Sequence, residues 1–324
     1  MIWIGWVWAA DWSDQIDTAR QGAILDALTG VVEVQGRPIR SRHIFHADHD
    51  LARARLLEEL HSIDGLEVEE ETFTALGVLS TNLIATLPGA DSSLAPLVVS
   101  AHYDSTAVNT EGFDPELTLA PGADDDGSGV VAILEIARLF SQQQGFERTI
   151  EFILFDAEEE GLLGSVYHVD HLSGDVYGMM SLDSVGANPT GLLFVSVGIG
   201  AEHLQTAFED SYAEQTVSHV EQLQAIEAAL LGAPRSDHGP FMAAGFPAVH
   251  VAAFPLPPTY HTSDDARDVV DPVFVADATA IVAGALAKLA VPVTEEEPEP
   301  DPPGCGCEIG RAFALPQWLL RRRR

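Results

Sequence analysis

P-G-A-D-D-D-G-S-G at residues 121–129 leads straight into V-V-A-I-L-E-I-A-R-L-F at 130–140. Glycines bracket three carboxylates and an apolar run follows. The segment therefore reads as a loop that opens a long helix ending near Gln144. One acid there acts as a helix cap, accepting amide hydrogens and complementing the helix dipole. Three in succession repel one another. A dication would offset that repulsion, and one carboxylate can bridge two metals.

Four further segments place a chemically active side chain after a strand-like run. They are S-A-H-Y-D-S at 100–105, F-D-A-E-E-E-G at 155–161, S-L-D-S-V-G at 181–186 and Y-H-T-S-D-D at 260–265. Strands are expected near 66–74, 82–87, 94–101, 149–156, 178–183, 192–197 and 248–254. Helices are expected over 14–28, 47–61, 200–215, 220–230 and 273–290. Strands alternating with helices imply an α/β fold, a three-layer sandwich. Its mixed, mostly parallel sheet carries helices on both faces. In such sheets functional groups gather beyond the strand carboxyl ends.

Each segment also has a plain structural reading. His102 and Asp104, two apart on a strand, share one face. A metal-bound imidazole needs its other nitrogen held by an acceptor, and Asp104 fits that role. An isolated H-x-D, however, is most often a surface pair near a turn. Glu158, Glu159 and Glu160 fit a solvated acidic loop, or a division of labour in which one binds metal and the next takes a proton. Asp183 follows the apolar G-M-M-S-L. A carboxylate at a buried strand end is costly unless paired or ligating. His261 lies beyond A-V-H-V-A-A-F-P, flanked by Pro257, Pro258 and Asp264. His43, His46 and His49 have metal-like spacing but precede the expected catalytic body, and read as surface or capping residues. So do His168, His171, His203 and His219. His238 and His250 read as neighbours of the site or core residues.

Composition narrows the partners. The 324 residues include 50 acidic and 16 basic ones, a net charge of −34. From Pro292 onward there are only six acids against five arginines, so the excess belongs to the body. Such a field repels nucleic acid and anionic membrane surfaces. No internal stretch is expected to approach the roughly 18–20 apolar residues of a membrane span, so no stable span is expected. Cys305 and Cys307 are the two cysteines. A thiolate metal site in the core is thereby excluded, leaving His and carboxylate ligands.

With these motifs in view, residues 40–290 resemble the co-catalytic di-zinc aminopeptidase family of the bacterial leucyl aminopeptidase and aminopeptidase Y type. P-G-A-D-D-D-G-S-G followed by a helix and A-E-E-E-G is the specific part. The resemblance implies two zinc ions per chain. It assigns His102 and Asp183 to one ion and Glu159 and His261 to the other, with Asp125 bridging. It makes Glu158 the general acid/base and Asp104 the support of His102. It also implies a cis peptide between Asp125 and Asp126, and it sets Asp237 in S-D-H as an outer acid. The implied substrates are peptides with a free N-terminus. L-D-S-V-G-A-N-P at 182–189 and F-P-L-P-P-T-Y-H-T at 254–262 instead resemble a glutaminyl cyclase, a single-zinc enzyme of the same superfamily. A non-catalytic binding member of the fold is the third reading.

The expected organisation is a catalytic domain over 1–290, with 1–40 as an N-terminal extension packed on it, a Pro/Glu linker over 291–304 and a tail over 305–324. The apolar start M-I-W-I-G-W-V-W-A-A lacks the basic flank of a signal peptide. The tail, with G-C-G-C, a short apolar run and R-R-R-R, resembles a myxobacterial C-terminal sorting signal. That resemblance implies an exported protein, secreted or held at the cell surface. The apolar run is broken by Arg311 and Pro316, a departure from the pattern.

Overall fold

A computed structural model describes residues 11–143, 145–232 and 234–291. The first ten residues, most of the expected linker and the whole tail lie outside these.

Eight strands form one mixed sheet in the order β1-β2-β4-β3-β5-β8-β6-β7. They are β1 Glu67–Ala75, β2 Val78–Leu87, β3 Leu97–His102, β4 Ile150–Phe155, β5 Gly178–Leu182, β6 Leu192–Val197, β7 Gln222–Glu227 and β8 Ala248–Ala253. The four central strands, β4, β3, β5 and β8, run parallel. β2 and β6 flank them antiparallel. Alternate side chains of each central strand enter separate cores. Leu97, Val99 and Ala101 of β3 join Phe152 and Leu154 of β4 on one face. Val98, Ile153 and Phe155 pack with Phe241 on the other. Strands buried on both faces need both sets apolar, which explains their near-continuous hydrophobic sequence.

Helices cover both faces. α1 (Thr18–Leu28), α3 (Gly129–Ser141), α5 (Glu202–Glu214) and α7 (Pro272–Ala290) pack together, with α3 against β3. α4 (Leu163–His171) and the short α6 (His238–Ala243) pack together elsewhere, α6 against β5 and β8. α2 (His49–His61) adds Leu51, Leu56 and Leu60 to the larger core. Trp12, ahead of α1, stacks on Phe140 at a 5.2 Å centroid distance.

Three expectations need correction. Residues 220–230 hold strand β7 and a 3-10 turn rather than a helix. Gln222, Leu223, Gln224 and Ala225 alternate exposed and half-buried positions beside β6. That pairing overrides the helix preference of Glu, Gln, Ala and Leu. α7 is also long and apolar enough to cross a membrane, contrary to the expectation for internal stretches. It is a core helix here, with 83% of its most apolar 18-residue window buried within the fold. The third correction concerns four histidines. His43, His46, His49 and His168 are buried, because each has a partner. His49 Nε2 lies 2.8 Å from Asp156 Oδ1, and His43 Nε2 lies 3.1 Å from Glu160 Oε1. His168 Nδ1 lies 3.2 Å from Glu71. His46 Nδ1 accepts the Asp48 N–H just before α2, a capping contact.

Candidate metal centre

The parallel strands deliver their terminal side chains to one place. His102 closes β3, Glu158 and Glu159 follow β4, Asp183 follows β5 and His261 follows β8. The three aspartates enter from the wide turn Ala123–Ser128 that opens α3.

Those three acids have separate surroundings. Asp126 caps α3 through the Gly129 N–H at 2.9 Å, and also accepts the His102 and Ser184 N–H groups. A Cβ on Gly129 would overlap the Asp126 carboxylate, which is why glycine stands there. Asp124 Oδ1 accepts the Gly186 and Ala187 N–H groups at 2.7 and 2.8 Å and so anchors the loop after β5. Asp125 remains to face the ligands. The peptide between Asp125 and Asp126 is cis, as the family resemblance implies.

Two groups of potential ligands share Asp125. His102, Asp125 and Asp183 place donor atoms within 4.8 Å of one another, and so do Asp125, Glu159 and His261. His102 Nε2 is 3.1 Å from Asp125 Oδ1 and 3.7 Å from Asp183 Oδ1. His261 Nε2 is 3.0 Å from Asp125 Oδ2 and 3.1 Å from Glu159 Oε2. Asp125 Oδ2 nevertheless has no hydrogen-bond partner, and neither has Glu159 Oε1. Donor atoms this close, buried or half-buried and without hydrogen-bond geometry, fit convergence on cations.

Electrostatics point the same way. Burial, then Asp125, pushes the Glu159 carboxyl up to about 8. Burial likewise holds Glu158 well above the usual range. Burial works against a charged Asp183 too, but His102 and His250 outweigh it and hold that carboxyl well below the usual range. Burial pulls His261 down, yet Asp125 and Glu159 together raise it to about 10. Acids this close resist ionising together unless positive charge compensates, and a dication supplies that compensation.

Support comes from residues behind the ligands. Asp104 Oδ1 is 3.4 Å from His102 Nδ1, and the two Asp104 oxygens accept the Glu158 and Glu159 N–H groups at 3.1 Å each. Asp237 is buried and has no hydrogen-bond partner on either oxygen. Burial pushes it up to about 7, with His102, Asp104 and Asp183 close enough to affect it. Ala157, Ser184 and His261 adopt positive φ at 57°, 61° and 58°. Such strain in non-glycine residues clusters at functional sites.

Several supports have partners that the sequence does not predict. Asp265 accepts the Asp124 and Asp125 N–H groups, each at 3.0 Å, from 140 residues away in the chain. Arg42 is fully buried, and its guanidinium meets the carbonyls of Tyr103, Leu28, Pro121 and Gly122. Asp156 joins His49 to the Thr81 and Ala157 N–H groups. Asp265 lies in the Y-H-T-S-D-D segment, the one signal available for it.

The model of peptidase family M28 matches residues 82–286. The chain belongs to that family. Among similar proteins, leucine aminopeptidase 1 of Neurospora crassa is 34% identical over 198 residues, which is 57% of this chain and 47% of that protein. The chain thus spans about half the length of the curated relatives it matches. A zinc aminopeptidase from Bacillus subtilis superposes with a TM-score of 0.53 at 28% identity, over 66% of this chain and 51% of that one. The Porphyromonas gingivalis glutaminyl cyclase superposes with a TM-score of 0.65 at 21% identity, over 84% of this chain and 98% of that one. At that identity the likeness is one of fold.

Proposed function

We propose that this chain is a zinc-dependent aminopeptidase. It removes N-terminal residues from peptides with a free N-terminus and holds two zinc ions. One observation carries the reading: two ligand groups meet at Asp125, while Glu158, buried beside them, belongs to neither. His102 and Asp183 would hold one ion, Glu159 and His261 the other, with Asp125 shared. The M28 membership and the leucine aminopeptidase and zinc aminopeptidase relatives support it.

Bound zinc would supply a Lewis acid that acidifies water and polarises a carbonyl. Glu158 takes the proton from the attacking water and passes it to the leaving amine. Burial raises its proton affinity and so suits both steps. Asp104 keeps His102 Nε2 turned inward and fixes the backbone that carries Glu158. The acidic surroundings attract the substrate's ammonium group.

The glutaminyl cyclase reading rests on segments 182–189 and 254–262. Part of the first has a structural task, since Gly186 and Ala187 anchor Asp124. A single-zinc site would also leave one of the two ligand groups without work. Metal analysis together with assays on Leu-, Ala- and Gln-leading substrates tests the choice. Two zinc ions per chain and free amino acid as product support the peptidase. One ion with pyroglutamate as product supports the cyclase. Full zinc loading without turnover supports a binding protein.

Export to the cell surface is part of the proposal and rests on the composition of residues 305–324. Fractionation of the producing cells tests it.

A further inference from the structure

Arg235 stands apart from every other cation in the described residues. The rest meet acids, carbonyls or a ring: Arg20, Arg37, Arg40, Arg53, Arg55, Arg138, Arg267 and Lys288 form ion pairs. Arg42 is held by carbonyls, and Arg148 lies over Tyr177. Among the described residues Arg235 has no hydrogen bond, ion pair or ring contact. In so acidic a chain, a cation that meets no acid among the described residues is conspicuous.

Its position gives it a use. Arg235 lines a cavity of about 200 Å³ whose walls include Phe194, Leu231, Ala252, Phe254 and Leu256. Phe254, Leu231 and Leu256 are substantially exposed, so the cavity opens through an apolar rim. Its other wall includes His250, whose Nε2 lies 3.9 Å from Asp183 Oδ2 in the candidate metal centre. Ser236, the next residue, is tied to Ser181 at 3.1 Å near the end of β5. The cavity therefore adjoins the metal centre, and Arg235 is the cation on its lining.

We propose that Arg235 selects peptide substrates that present a carboxylate at this cavity. The inference rests on the aminopeptidase reading and adds a substrate class to it. The apolar walls accept a hydrocarbon stem but offer a carboxylate little. A guanidinium offers it two parallel hydrogen bonds. The strongly negative body would otherwise repel an anionic substrate, so one local cation decides whether it is tolerated. Two sources fit this chemistry: the side chain of an acidic first residue, or the terminal carboxylate of a dipeptide.

The experiment uses the full chain loaded with zinc and reads kcat/KM on matched pairs. Glu-anilide against Gln-anilide tests the first source, and Leu-Gly against Leu-glycinamide the second. In Arg235→Gln, the carboxylate-to-neutral ratio falls about two- to fivefold for one pair, the range of an exposed ion pair. The affected pair names the source. Arg235→Lys retains part of the ratio, and added salt narrows the difference between parent and Gln variant. Ratios unchanged in both pairs overturn the role of Arg235. A zinc-loaded parent that hydrolyses none of the four overturns the aminopeptidase reading, and this inference with it.

Discussion

The Glu158 backbone N–H donates to Asp104 Oδ1 at 3.1 Å, and the same oxygen lies 3.4 Å from His102 Nδ1. One buried carboxylate thus couples the imidazole that ends β3 to the turn after β4. The proposed ligand of one ion and the proposed base are positioned together.

Asp104→Ala removes both functions. Outer partners of metal ligands typically contribute ten- to hundredfold in metal affinity or activity. We expect a loss of about that size in zinc affinity, with kcat reduced even at saturating zinc because Glu158 loses its anchor. Asp104→Asn keeps an acceptor oxygen and should fall between. Zinc competition with a chelator, alongside kcat at saturating metal, separates the two effects. A variant that loses affinity while keeping parental kcat would show that Asp104 serves His102 alone.

Glu158→Gln conserves shape and removes the proton acceptor. General acid–base groups contribute about 10²- to 10⁴-fold. Turnover should drop by that factor, while zinc content stays at the parental value because Glu158 lies in neither ligand group. Metal analysis and single-turnover assays on one preparation check both. Turnover retained in full would remove Glu158 from the chemistry.

Asp265→Ala leaves the buried Asp124 and Asp125 N–H groups without an acceptor. Each orphaned buried donor costs about 1–3 kcal/mol. Burial, then the Asp265 charge, pushes Asp124 up to about 7, so removing that charge offsets part of the cost and the net loss should be about 2 kcal/mol. Asp265→Asn keeps one acceptor and should lose less. Urea midpoints measure it, and a faster release of zinc should accompany the loss, since Asp125 stands in both ligand groups.

The legible part of this molecule was its strand ends. His102, Glu159, Asp183 and His261 each follow an apolar run, and the glycines around Asp124, Asp125 and Asp126 mark a helix entry. These are local patterns, so spacing exposes them. Arg42 leaves no signal, and Asp265 shows only as the last acid of Y-H-T-S-D-D, for the opposite reason: their partners are backbone groups far along the chain, and nothing in their neighbours predicts the pairing. The burial of His43, His49 and His168 is hidden in the same way, whereas His46 keeps the expected capping role. His49 reads as an ordinary helix-start residue until Asp156, 107 positions away, is placed beside it. β7 differs from its expected helix because its Gln, Ala and Glu residues favour a helix unless a neighbouring strand supplies hydrogen bonds.

His238 gives a pH dependence whose sign can be derived. It is buried, stacked on His250 at a 5.1 Å centroid distance, and its Nδ1 has no hydrogen-bond partner. Burial, reinforced by His250, pushes it down to about 3 from 6.5. Between those values the unfolded chain binds a proton that the folded chain refuses. Stability therefore falls as pH drops through this window, by up to about 1.4 kcal/mol per pH unit for one proton. Above pH 6.5 the group contributes no slope. The raised carboxyls of Glu159 and Asp124 act with the opposite sign, so the parent's total slope is a mixture. Subtracting the curve of His238→Gln from that of the parent isolates the histidine. Urea midpoints from pH 7 to 4.5 should show the variant losing less stability on acidification, whatever its stability at neutral pH. His238→Phe removes the titrating group with a different packing and should show the same change of slope. Parallel curves for parent and both variants would mean that His238 titrates alike in the folded and unfolded chain.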